Sequence, residues 1–134
     1  CGRGYLADRL SKGCQVTGVD MRVDALCAAQ YPQVAFLEAQ ITDLPFSDNT
    51  FDTVVCTHTL EHVCDFQGAV GELRRVARKR LVVVVPKQRP YKYTFDLHVH
   101  FFPYPWSLEI LLKGKNSPGR CRLVGGDWLY TEDV

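Results

Sequence analysis

Apolar positions along this chain come in short runs, and their spacing switches between a helical and an alternating period. In residues 4–11, Tyr5, Leu6 and Leu10 stand among Asp8, Arg9 and Lys12, the spacing of a short helix that packs one face, and Gly13 supplies a stop. Residues 15–19 read as a short strand ending at Asp20. Residues 23–31 predict a second helix with Val23, Leu26, Cys27 and Tyr31 on its packed side, ended by Pro32. Residues 34–37 are strand-like again, and residues 40–52 have the composition of a loop. Thr53-Val54-Val55-Cys56 has the β-branched character of a buried strand. Residues 66–77, with Phe66, Val70, Leu73 and Ala77 at helical spacing, lead into the most apolar strand, residues 81–85, which stops at Pro86. A short helix over 107–113, stopped by Gly114, is followed by a loop over 115–119. Strands over 120–124 and 128–130 flank Gly125-Gly126-Asp127, a hairpin turn. Strands alternating with helices imply a parallel sheet covered by helices, so residues 1–134 read as one doubly wound α/β domain with an antiparallel edge hairpin.

Composition narrows the function classes. The net charge is +1, so no strong field draws nucleic acid or an anionic membrane. The basic run Arg74, Arg75, Arg78, Lys79, Arg80 is read as the polar face and end of a helix, where cations are favoured. The six cysteines, at 1, 14, 27, 56, 64 and 121, form no CxxC pair. They are expected to be reduced and mostly buried, which fits a cytoplasmic protein. No signal peptide and no apolar run of about 20 residues is present.

Chemistry concentrates at the start. Gly2 and Gly4 stand one residue apart before a helix, and Asp20 ends the next strand, eighteen positions after Gly2. That is the layout of a nucleotide-binding βαβ unit. Glycine lets the backbone turn sharply and lets a ligand approach without a Cβ in the way. A carboxylate can accept from both hydroxyls of a ribose. The strand that should deliver the chain into Cys1 is not part of the sequence.

The ordered set Cys1-Gly2-Arg3-Gly4, Asp20, the segment from Asp43 through Pro45 to Asp52, Leu60-Glu61-His62-Val63 and Pro86 resembles the class I S-adenosylmethionine-dependent methyltransferases of the small-molecule, type 11-like kind. Phe101-Phe102-Pro103 with Leu108, Leu111 and Leu112 is similar to the segment after that family's fifth strand. The resemblance implies a Rossmann-like sheet lacking its first, central strand here. It also implies S-adenosyl-L-methionine as cofactor, with Gly2, Arg3, Gly4, Asp20, Met21, Gln40, Ile41, Cys56 and Thr57 as the binding set. Gly2 and Gly4 would lie against the methionine end, Asp20 would hold the ribose and Met21 would pack on the adenine. Cys56 and Thr57 would border the sulfonium, mainly through backbone. Gln40 stands where the family usually has an acid for the adenine amine. A neutral acceptor is worth nearer about 1 than about 2 kcal/mol.

Methyl transfer from a sulfonium is an in-line displacement, so the protein mainly aligns the acceptor. A base helps only a protonated acceptor, and His58, His62, His98 and His100 are the candidates. His62, inside the Leu-Glu-His-Val element, is assigned to the catalytic pocket, as lining ahead of a base. His98 and His100 would share a strand face, but only Asp96 offers a nearby third ligand, so no metal is expected. Residues 86–106 hold Tyr91, Tyr93, Phe95, Phe101, Phe102, Tyr104 and Trp106. They are expected to supply core, a roof favouring a small apolar or aromatic acceptor, or a dimer contact.

Two other readings stay open. Gly2-Arg3-Gly4-Tyr5-Leu6-Ala7 also fits the fingerprint of an NAD(P)-dependent oxidoreductase, although the loop over 43–52 and residues 60–63 have no purpose there. A non-catalytic, methyltransferase-like binding protein is the other. A central first strand would contribute about 10 kcal/mol through buried apolar residues, against total stabilities of about 5–15 kcal/mol. Residues 1–134 alone are therefore expected to be marginally folded at best.

Overall fold

The computed structural model describes residues 1–91, 95–114 and 119–134. The chain divides into two units, Cys1–Pro45 and Phe46–Val134.

The first unit runs α1 (Tyr5–Ser11), β1 (Thr17–Asp20), α2 (Ala25–Gln30) and β2 (Ala35–Glu38). β1 and β2 pair in parallel, with Thr17 opposite Ala35 and Asp20 opposite Glu38. Asp24 caps α2, its carboxylate accepting from the Leu26 N–H at 2.9 Å, which satisfies a donor that the helix cannot. The core is small: Ala7, Tyr31 and Val34, with Val16 and Phe36 packed against them. On α2, Cys27 is buried, as is Tyr31 one turn later, but Leu26 is 70 % exposed. The packed side is thus narrower than the sequence suggests, because a helix of this length turns a single i, i+4 stripe inward. Among the described residues, β1 pairs on one side only.

The second unit runs β3 (Phe51–Thr57), a 3-10 turn (Leu60–His62), α3 (Phe66–Val76), β4 (Ala77–Pro86), α4 (Pro105–Leu112), β5 (Arg120–Val124) and β6 (Asp127–Asp133). Its sheet order is β3-β4-β6-β5. β3 and β4 are parallel, while β6 is antiparallel to both β4 and β5. Gly125 and Gly126 both take positive φ, 61° and 99°, which the two-residue hairpin between β5 and β6 demands. Alternation builds the core: Leu81, Val83 and Val85 of β4 are fully buried, and Trp128 and Tyr130 of β6 repeat the period. α3 buries Phe66, Ala69, Val70, Leu73 and Val76, and α4 buries Leu108 and Leu112. Helices with parallel pairs, a mixed sheet and an antiparallel edge hairpin make a Rossmann-like α/β fold.

Several expectations need correction. The helix ends at Val76, so only Arg74 and Arg75 occupy its last turn. Arg78, Lys79 and Arg80 lie on β4, where Arg78 and Lys79 reach Asp52 at 2.7 and 2.8 Å and Arg80 reaches Asp133 at 3.2 Å. Acids on flanking strands do the neutralising that a helix terminus was expected to do. Thr53-Val54-Val55-Cys56 lies on β3, the edge strand of its sheet, and Val55 is 40 % exposed rather than buried. Only Cys27 and Cys56 are buried among the cysteines; Cys1, Cys14 and Cys64 are exposed, because all three fall outside helices and strands. The loop expected over 115–119 lies outside the described residues except for Gly119. No helix among the described residues is long and apolar enough to cross a membrane.

Candidate functional site

The glycine bend is a closed turn in which the Gly4 N–H donates to the Cys1 carbonyl at 3.0 Å. Its two glycines serve different ends. Gly4 has φ +77°, and a Cβ there would meet Tyr31 Cδ2 at 3.0 Å and Phe36 Cζ at 3.1 Å, so it is required by packing as well as by backbone. Gly2 has φ +52°, and a Cβ there would meet nothing within 4 Å, which leaves an open face on the bend.

Asp20, at the end of β1, reaches back to this bend. Its Oδ2 accepts from the Cys1 nitrogen at 2.6 Å and from the Gly2 N–H at 2.8 Å. Its Oδ1 has only a long contact with the Arg22 N–H, 3.5 Å away. Partial burial pushes the carboxyl up, while the hydrogen bond from the Gly2 N–H draws it down. One carboxylate oxygen is thus fixed by the Gly2 N–H and the other is able to accept from hydroxyls.

The remaining expected residues of this unit are less constrained. Arg3 is exposed, Met21 is 70 % exposed and Ile41 is half-buried. Gln40 is exposed and forms an isolated bridge with Asp43, whose N–H donates to the Gln40 carbonyl at 3.1 Å. Sequence reasoning passed over Glu38. Its Oε1 accepts from the Val23 N–H at 2.9 Å and ties the turn after β1 to the end of β2. The available signal was an acid facing Asp20 in parallel register.

In the second unit, Cys56 and Thr57 end β3. Burial pushes the Cys56 thiol up to about 11, so it is neutral at physiological pH. His58 follows with φ +48°, its Nδ1 3.4 Å from Glu61 Oε1 and its Nε2 3.3 Å from Asp127 Oδ2. His62 is exposed, with Nδ1 3.3 Å from the Leu97 carbonyl and its ring centroid 4.6 Å from that of His98. His100 donates from Nε2 to the Val63 carbonyl at 2.9 Å and packs on Phe66.

The aromatic segment divides. Phe102 is core, and its carbonyl accepts from Trp128 Nε1 at 2.8 Å. Tyr91, Phe95, Tyr104 and Trp106 are exposed, and Tyr93 lies outside the described residues. Tyr91, Tyr104 and Trp128 line a cleft of about 280 Å³ together with Lys87, Gln88 and Arg89. Lys87 Nζ stands 5.4 Å from the Trp128 ring centroid, within cation–π reach.

Residues 1–85 match the family model described as a methyltransferase domain. The chain is similar to the 2-phytyl-1,4-naphtoquinone methyltransferase of Trichormus variabilis, 40 % identical over 90 residues, covering 58 % of this chain and 39 % of that protein. It is also similar to the ubiquinone biosynthesis O-methyltransferase of Alkalilimnicola ehrlichii, 32 % identical over 127 residues, covering 87 % of this chain and 50 % of that one. The chain thus spans half or less of the length of these two relatives. Among solved structures, an S-adenosylmethionine-dependent methyltransferase from Aquifex aeolicus superposes with a TM-score of 0.74 at 20 % identity, covering 98 % of this chain and 77 % of that one. At that identity the likeness speaks for the fold.

Proposed function

The chain belongs to the class I S-adenosylmethionine-dependent methyltransferases, and from that premise we propose that it transfers the methyl group of S-adenosyl-L-methionine to a small apolar or aromatic acceptor. The observation that carries the cofactor half is the Asp20 carboxylate, held by the Gly2 N–H and left with Oδ1 for a ribose hydroxyl. The residues fit the group. Two hydroxyl donors suit an ionised carboxylate, and the open face at Gly2 gives a ligand room where any side chain would intrude.

When bound, S-adenosylmethionine supplies the activated methyl group. The chain's own residues orient and exclude. Asp20 accepts from the sugar, Met21, Gln40 and Ile41 offer an apolar and neutral polar border for the base, and Arg3 extends from the bend. Hydrogen bonds to a charged acceptor are worth about 1.5–3 kcal/mol. Cys56, neutral and buried, takes no ionic part, and Thr57 beside it offers backbone.

The acceptor half draws on the cleft beside Trp128. Tyr91 and Tyr104 give it flat apolar walls, and Lys87 and Arg89 give it a cationic rim. Such a lining suits a flat acceptor that carries an oxygen. The two quinone-pathway names among the relatives agree with that chemistry.

Equilibrium binding of S-adenosylmethionine, S-adenosylhomocysteine and NAD, followed by methyl-transfer assays on a panel of phenols and quinols, tests this reading. Binding of the two sulfur nucleotides without NAD, and methylation of a phenol, is expected. Tight NAD binding without either sulfur nucleotide would overturn it.

A further inference from the structure

We propose that Glu61, His62 and His98 form a site for a borderline divalent transition metal of the zinc class. A carboxylate oxygen of Glu61 and one ring nitrogen from each histidine all lie within 4.8 Å of one another. This site does not rest on the methyltransferase reading.

The first observation is a buried carboxyl oxygen without a partner. Glu61 is only 1 % exposed, and its Oε2 is the buried side-chain oxygen that no group among the described residues satisfies. Oε1 faces His58 at 3.4 Å, but that imidazole is half exposed. An unpaired buried carboxylate oxygen is costly, and a cation bound to it removes the cost.

The second observation is the tautomer of each histidine. His62 Nδ1 faces the Leu97 carbonyl, which can only accept, so Nδ1 carries the proton and Nε2 keeps its lone pair. His98 Nδ1 faces Gln88 Oε1. That amide is oriented by its Nε2, which donates to Asp96 Oδ2 at 2.8 Å. His98 is therefore also protonated on Nδ1 and free on Nε2. Each histidine thus keeps Nε2 as the ring nitrogen with a lone pair to offer the cluster. Histidines that bind metal characteristically donate their other N–H to a carbonyl or carboxylate-linked group, which fixes the ring and raises its basicity.

The framework is set by backbone. The Val99 and His100 N–H groups both donate to the Glu61 carbonyl, at 2.8 and 3.1 Å, and so dock the segment carrying His98 onto the 3-10 turn. Ligand atoms about 2 Å from tetrahedral zinc stand about 3.4 Å apart. Closing from 4.8 Å asks each side chain to move by under about 1 Å. Two imidazoles and one carboxylate leave a fourth position for water or another oxygen ligand, the pattern of an open rather than a closed zinc site.

The test uses the metal-stripped chain. Cobalt(II) is titrated and its visible ligand-field bands are followed, and zinc displaces it in competition. Thermal melts are recorded in zinc and in chelator. One metal per chain is expected, with four-coordinate bands and no thiolate charge-transfer band. Glu61→Gln and His98→Ala should each weaken binding by tenfold or more, and Gln88→Ala by about tenfold through its hold on His98. The melt supplies a readout if a variant is disturbed: zinc should raise the melting temperature of the parent but not of Glu61→Gln, which should melt no lower than the parent in chelator. Thiolate bands from the exposed cysteines, or affinities unchanged in both ligand variants, would overturn the proposal.

Discussion

Replacing Glu132 by leucine removes the acid of a cluster that ties three elements of the second unit together. The Glu132 side chain is 4 % exposed on β6 and accepts from Arg74 Nε at 2.5 Å, Arg74 Nη2 at 2.8 Å and the Tyr130 hydroxyl at 2.7 Å. Arg74, on α3, also donates to the Leu112 carbonyl at the end of α4. The carboxylate holds the guanidinium above its ordinary pKa. Removing one partner of a buried pair costs about 3–5 kcal/mol, because the other charge is left uncompensated. The Arg74 side chain is 24 % exposed, so water recovers part of that loss and the lower end, about 3 kcal/mol, applies. For a chain of this size that is a fall of about 10 °C in melting temperature. Circular dichroism melts of Glu132→Leu, Arg74→Met and the double variant provide the measurement. The double variant removes both charges and should recover at least half of the loss in Glu132→Leu. A shift below about 3 °C in Glu132→Leu, or a double variant as damaged as the sum of the singles, would refute the reasoning.

Gly4→Ala should destabilise the first unit by about 1–3 kcal/mol, since alanine must take φ +77° while its Cβ presses on Tyr31 and Phe36; hydrogen exchange in α1 reports it. Arg78 and Lys79 hold the Asp52 carboxyl down to about 2. Its contribution is complete above the unfolded value of roughly 4 and is lost as the pH falls from there toward about 2. Asp52→Asn should therefore flatten that stretch of the acid-unfolding curve, and less so in high salt, because the pair is exposed. The Cys56 thiol, raised to about 11 and buried, should resist alkylation at neutral pH in the native chain while the exposed Cys14 and Cys64 react; mass spectrometry after brief iodoacetamide treatment distinguishes them.

The sequence was readable where local chemistry dictated geometry. Gly4 before a helical period, Asp24 at a cap, and Gly125-Gly126 between two strands each specify a backbone that the structure adopts. It misled where neighbours decide. The arginines and lysine at 78–80 resemble a helix end by charge, but the acids that receive them, Asp52 and Asp133, are 26 and more residues away. Val55 has a core residue's character, yet among the described residues its strand has a neighbour on one side only. In the candidate site, a fixed interval between glycine and acid made Asp20 and Gly2 visible as a pair. Glu61 and His98 were not, because hydropathy gives no reason for a glutamate to face inward, and the backbone docking that joins them spans some forty residues of chain.

The central claim is that Asp20 and the glycine bend hold an S-adenosyl nucleotide. Calorimetric titration of S-adenosylhomocysteine into the natural full-length chain and its Asp20→Asn variant tests it most directly. A single site is predicted, weakened by roughly tenfold or more in the variant, as expected for loss of about 1.5–3 kcal/mol from a charged acceptor. Equal affinity in the two proteins, or no binding by the parent, would contradict it.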